Sequence, residues 1–160
     1  MKKAVRIMTM TRDHLDQVVD LEEVCFSVPW TREAFHKELT ENKLAHYLVL
    51  EIDGQIVGYG GTWYIMDEGH ITNIAIDPQY RKQGLGRLLV KAMVEQALDH
   101  GLGHMTLEVR VSNQAAIGLY EKMHFKSEGV RPKYYTDNQE DALIMWLDLS
   151  KEERGNYGNH

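Results

Sequence analysis

A single cysteine, Cys25, and three prolines are all that the 160 residues contain of those types. One thiol excludes an intramolecular disulfide and favours a reducing compartment. Cys25 falls on an apolar helical face, where a structural thiol is the ordinary reading. No apolar run approaches membrane-spanning length, and Met1-Lys2-Lys3 is followed by no signal-like hydrophobic stretch, so a cytoplasmic location is expected. There is no repeat, linker or low-complexity segment. The formal net charge of −6 argues against broad nucleic-acid binding. With 43% hydrophobic and 26% charged residues, what remains is a globular chain of one domain's length. The expected layout is one domain over residues 1–150 and a polar tail over 151–160.

The stretch Ile71–Leu89, I-T-N-I-A-I-D-P-Q-Y-R-K-Q-G-L-G-R-L-L, carries the strongest chemical signal. Its β-branched alternation predicts a strand that Asp77-Pro78 ends, and a helix begins at Leu85. Between them lies a basic glycine loop. Strand, glycine loop and helix start make an anion site, with Arg81, Lys82 and Arg87 adding charge, so a phosphate or pyrophosphate ligand is expected. A nucleotide-triphosphate loop is excluded because Arg87-Leu88 follows Gly86 where Lys and a hydroxyl are required. A dinucleotide fingerprint fails at Leu89, where it needs a third glycine.

The rest of the chain reads as β-α-α-β-β-β-α-β-α-β-β. A strand at Ala4–Met8 precedes a helix capped by Thr11, with Leu15, Val18, Val19, Glu22 (one break) and Cys25 on one face. Thr31 caps a second helix. Strands His46–Ile52 and Gln55–Tyr64 are joined by Asp53-Gly54, a hairpin signal. Asp67–Gly69 turns into the Ile71 strand. The Leu85 helix stops near Gly101. A strand at His104–Val111 puts Leu107, Val109 and Val111 on one face and Thr106, Glu108 and Arg110 on the other. A helix at Asn113–Met123 and strands at Phe125–Val130 and Ala142–Leu149 complete the order.

The R-x-x-G-x-G loop after I-A-I-D-P, together with L-E-V-R-x-S-N-x-x-A-x-x-L-Y, resembles the GCN5-related N-acetyltransferases (GNAT) over roughly residues 4–150. The resemblance implies an α/β (α+β) acyl-CoA N-acyltransferase fold, a mixed sheet of about seven strands flanked by about four helices. It implies acetyl-CoA as cosubstrate, its pyrophosphate gripped by Lys82, Gln83, Gly84, Leu85, Gly86 and Arg87. It also implies backbone groups of Ile74, Ala75 and Ile76 for the pantetheine and acetyl oxygen, and Asn113 as a cofactor contact. In the family the motif's glutamate, here Glu108, accepts the amine proton, and its tyrosine, here Tyr120, is the general acid. On spacing alone, Glu108 reads rather as a strand carboxylate paired with Arg110 or a neighbour, Tyr120 as a core tyrosine, and Asn113 as a helix cap.

No metal is implied, because Gly101 and Gly103 break the helix that would align His100 with His104. Nor can a Ser-His-Asp or Cys-His arrangement be nominated, which favours direct transfer. Pro29-Trp30-Thr31 and R-x-x-Y-Y-T-D-N-x-E-D-A-L-I-M match most densely those family members that acetylate the N-terminal alanine of a ribosomal protein. The implied acceptor is such an N-terminus, with Trp30, Tyr134 and Tyr135 on loops flanking the slot. The alternatives are a small-molecule or lysine acetyltransferase and a non-catalytic acyl-CoA-binding module. One departure is His124, where relatives usually have glycine; histidine tolerates the left-handed turn this requires.

Overall fold

The computed structural model describes residues 4–151. The observed order is β1 (Val5–Thr9), α1 (Leu15–Cys25), α2 (Arg32–Thr40), β2 (Ala45–Ile52), β3 (Gln55–Ile65), β4 (Glu68–Ile76), α3 (Leu85–Asp99), β5 (His104–Arg110), α4 (Gln114–Lys122), β6 (Lys126–Arg131) and β7 (Ala142–Asp148). This is the expected sequence of elements. The strands form one mixed sheet in the order β1-β2-β3-β4-β5-β7-β6. The expected tail, from Glu152 onward, lies outside the described residues. No helix among the described residues is long and apolar enough to cross a membrane.

The described residues up to Tyr64, with Thr72–Met93, form one compact unit. Its β2–β3 hairpin turns at Asp53 and Gly54, with φ of 51° and 79°, the left-handed pair that matches the twist of the flanking strands. Thr31 accepts from the Ala34 amide at 3.1 Å and caps α2, as its sequence position predicts. Leu15 and Val18 of α1, Phe35 of α2, Tyr47 of β2 and Tyr59 of β3 are buried in one cluster. A Cβ at Gly60 would stand 2.6 Å from the Met93 sulfur, so glycine there lets α3 lie against β3. Thr11 caps a single turn of 3-10 helix, and α1 proper begins at Leu15.

Glu22, the break in the apolar face of α1, is buried and satisfied at both oxygens. One accepts from the Trp30 amide at 3.1 Å and the other from the Tyr59 hydroxyl. Burial raises its pKa, against those two hydrogen bonds. Asn73 donates to the same Tyr59 hydroxyl at 3.2 Å. Cys25 ends the helix half-buried, its thiol on the Ile76 carbonyl at 3.5 Å.

Ile65–Ile71 and the described residues from Val94 onward form the second unit. Here β4 starts at Glu68, earlier than the sequence reading put it. The turn is made by Met66, at φ 56°, and Asp67, which frees Glu68 and Gly69 to pair with β5. The pairing is parallel, with His70 opposite Thr106. β5 pairs antiparallel with β7, and β7 with β6. Met105, Leu107 and Val109 are buried, but Val111 lies past the strand end and is exposed. His124 takes φ 76°, the left-handed turn that its position demands.

Candidate active site

The first unit carries the anion loop. Asp77 accepts from the Gln79 amide at 2.9 Å and opens one 3-10 turn with Pro78 inside it. Lys82 and Gly84 then adopt φ of 65° and 79°. Two left-handed residues this close turn the loop back on itself. The first turn of α3 closes with Leu88 donating to the Gly84 carbonyl at 3.2 Å. The amides of Leu85, Gly86 and Arg87 precede any intrahelical acceptor, and the helix dipole adds positive potential where they point. Leu85 is buried and anchors the turn, whereas Lys82, Gln83, Gly84 and Arg87 are exposed. No atom lies within 4 Å of a Cβ built on Gly84. The geometry fits a phosphate-bearing ligand.

Arg81 adds a structural contact to its charge. Its guanidinium donates to the Ile76 carbonyl at 3.0 Å and reaches the Cys25 sulfur at 3.7 Å, so it shapes the loop. Arg81, Lys82 and Arg87 are all exposed cations of the loop, and Lys82 and Arg87 are the two that the family resemblance assigns to the pyrophosphate. Along β4, the burial alternation lapses at Thr72–Ile74, after which Ala75 and Ile76 are buried in succession. Regular pleating alternates faces, so this stretch departs from it. Trp30, in the same unit, packs on Phe35 with ring centroids 5.4 Å apart, while its amide is held by Glu22.

The second unit holds Glu108, Asn113, Tyr120, Tyr134 and Tyr135. Glu108 does not pair with Arg110. It meets His70 Nε2 at 2.6 Å and Arg131 Nε at 3.5 Å. His70 faces Thr106 across the β4–β5 pairing, and Glu108 lies two residues further along the same face. The hydrogen bond from His70, first, and the charge of Arg131 hold the Glu108 carboxyl below its ordinary range, against desolvation. The same hydrogen bond lifts the His70 imidazole above its usual value, against partial burial. An anionic carboxylate beside an imidazole of raised basicity can accept and share one proton.

Tyr120 is buried on α4, with its ring 5.7 Å from Phe125, and burial raises its phenol. Asn113 accepts from the Ala116 amide at 3.1 Å and thus caps α4. Tyr134 and Tyr135 meet edge to face at 5.1 Å, and both phenols feel the negative charge of Glu108. Three residues were not singled out by sequence reasoning: His70, Arg131 and Arg110 in its pairing with Asp137, Asn138 and Glu140. Only the in-phase placement of His70 and Thr72 on an alternating strand hinted at His70. Its partner is 38 positions away.

The Acetyltransferase (GNAT) family profile matches residues 15–125. The chain belongs to this family. A Bacillus subtilis (strain 168) protein, provisionally named a [ribosomal protein bS18]-alanine N-acetyltransferase, is 46% identical over 151 residues, covering 94% of this chain and 100% of its own. The Escherichia coli (strain K12) [ribosomal protein bS18]-alanine N-acetyltransferase is 35% identical over 146 residues, 90% of this chain and 97% of that one. The crystal structure of the ribosomal-protein-S18-alanine N-acetyltransferase from Escherichia coli superposes with a TM-score of 0.85 at 32% identity, covering 94% and 97% of the two chains. The GNAT fold expected from the sequence is therefore shown, and the protein is an acyltransferase.

Proposed function

We propose that this protein transfers the acetyl group of acetyl-CoA to the α-amine of an N-terminal alanine of a ribosomal protein. The observation that carries the reading is the likeness, along nearly the whole chain, to the Escherichia coli enzyme that is named for that reaction. The loop Lys82–Arg87 holds the pyrophosphate, and backbone groups of Ile74–Ile76 receive the pantetheine and acetyl oxygen. Asn113, besides capping α4, contributes a cofactor contact. Glu108, backed by His70, takes the amine proton, directly or through water. The neutral amine adds to the thioester carbonyl and it is the proton its nitrogen then sheds that Glu108 takes; the carbon–sulfur bond breaks, and the departing thiolate takes the Tyr120 proton. Trp30, Tyr134 and Tyr135 contact the acceptor.

An α-amine suits this machinery. Near pH about 7.4, roughly a fifth to a third of an α-amine is neutral, against about one lysine in a thousand. One carboxylate–imidazole pair has far less to do with the first. The expected result is that a peptide beginning with alanine is acetylated at least about a hundredfold faster, in kcat/KM, than an N-terminally blocked peptide whose only amine is lysine. Coenzyme release and mass spectrometry measure both. Equal or faster lysine modification overturns the N-terminal reading in favour of a lysine or small-amine acetyltransferase. Absence of any coenzyme release favours the non-catalytic acyl-CoA-binding module.

The cofactor loop has its own test. Gly86 sits in the first turn of α3 and is not among the glycines with positive φ, so a side chain there is compatible with the backbone. Gly86→Val should leave the fold intact but raise the Kd for acetyl-CoA by roughly tenfold or more, because a Cβ blocks close approach of phosphate to the amides. Calorimetry reads the effect, and an unchanged Kd removes the loop from the binding site.

A further inference from the structure

One segment of the sequence motif, Asp137-Asn138-Gln139-Glu140-Asp141, is absorbed by neither proton transfer nor coenzyme binding. The structure shows what it meets. Arg110 stands on β5 two residues beyond Glu108 and on the same face. Its Nη2 donates to Asp137 Oδ2 at 2.9 Å, and its Nη1 to Asn138 Oδ1 at 3.1 Å and Glu140 Oε1 at 3.5 Å. Its Cζ lies 4.0 Å from the centre of the Tyr135 ring. Four residues of the β6–β7 loop thus converge on one guanidinium.

The loop is closed upon this centre by its own bonds. Gln139, at φ 59°, donates to the Tyr135 carbonyl at 2.9 Å, and Tyr135 to the Glu140 carbonyl at 3.1 Å. The second Glu140 oxygen accepts from the Ser112 amide at 2.7 Å, just past β5. Asp141 accepts from the Lys133 amide at 2.9 Å. An exposed ion pair by itself fixes little. A planar fork that meets three acceptors and an aromatic face fixes direction as well as distance, which an ammonium cannot do. The same loop carries Tyr134, which is exposed, and Tyr135, and both feel the charge of Glu108.

We propose that Arg110 is a positioning residue, clasping the β6–β7 loop to β5 so that Tyr134 and Tyr135 are held in register with Glu108 and define the pocket for the acceptor's first residue. The inference rests on the proposed acceptor reading. In L-E-V-R, the glutamate and the arginine then have separate duties on one strand face: proton acceptance and placement of the acceptor loop.

The test compares Arg110→Lys and Arg110→Ala with Asn138→Ala, which loosens the clasp from the loop side without touching β5. Each variant is assayed with an alanine-starting peptide, by acetyl-CoA calorimetry, by thermal melting and by amide hydrogen exchange at Tyr135 and Gln139. Both Arg110 variants should exchange faster at these amides and raise the peptide KM by roughly tenfold, with kcat within about threefold and acetyl-CoA binding unchanged. Asn138→Ala should shift the same quantities in the same direction by less. A wild-type KM in Arg110→Lys overturns the clasp, because charge alone would then suffice. So does faster loop exchange with an unchanged KM, or a loss of kcat equal to the loss of kcat/KM. If wild-type protein modifies the blocked lysine peptide and not the alanine-starting one, the acceptor reading itself has failed, and the inference falls with it. Should an Arg110 variant not fold, Asn138→Ala decides between these outcomes.

Discussion

Replacing Tyr120 by phenylalanine is expected to lower turnover by roughly 10²–10⁴-fold, because the ring and its packing remain while the proton donor is lost. The phenol is buried beside Phe125, and burial moves its pKa up, which keeps it fully protonated at neutral pH. That shift would weaken a donor if the acceptor were a thiolate in water. A thiolate that departs within the same dry surroundings is raised for the same reason, so donor and acceptor stay matched. Phenylalanine should cost about 1 kcal/mol of stability or less, since no more than one neutral hydrogen bond is at stake. The decisive measurement is single-turnover acetyl transfer at saturating peptide, alongside the thermal midpoint. A variant that folds and turns over at the wild-type rate refutes Tyr120 as the acid, and the thiolate must then take its proton from solvent.

What could be read from the sequence was local, and what could not was paired across distance. Asp53-Gly54, the Thr31 and Asn113 caps and the left-handed His124 are settled by the residue and its immediate neighbours, and each is found as expected. The strand–loop–helix path of the anion loop belongs to the same class. Glu22 looked like a flaw in an apolar face because its partners, Trp30 and Tyr59, stand 8 and 37 positions away. Arg81 was read for its charge alone, and its hydrogen bond to the Ile76 carbonyl was not foreseen. Glu108 was singled out from its motif, but its partners were not. Parallel pairing of β4 with β5 brings in His70, and the return of β6 brings in Arg131, and no spacing rule in a single chain announces either.

Glu108→Gln is expected to lower kcat by roughly 10²–10³-fold, and His70→Gln by about tenfold, with opposite consequences for activity and stability as pH changes. The two groups share a 2.6 Å hydrogen bond, and each shifts the titration of the other. Below the raised His70 value the pair is imidazolium and carboxylate, and it has no room for the amine's proton. Above it, the pair has lost one proton and can accept another. The acid limb of kcat/KM should therefore lie above the ordinary imidazole value of 6.5, with activity rising as pH climbs through it. His70→Gln removes that limb, because only a carboxylate remains, and the variant's ratio of rates at pH about 6 to pH about 8 should exceed that of the wild type. The amine's own titration is common to both enzymes and cancels in this comparison. Stability runs the other way. The raised His70 contributes stability fully present below 6.5 and lost as pH rises through its folded value. The depressed Glu108 contributes stability present above 4.5 and lost as pH falls through its folded value. The pair thus stabilises most between these limits, where both partners are charged, and both remain partly exposed, which keeps the effect small. The wild-type excess in Tm over His70→Gln should be larger at pH about 6 than at pH about 9, while the excess in activity grows in the opposite direction. If the two excesses rise and fall together, His70 is serving the fold alone and Glu108 acts as base without it.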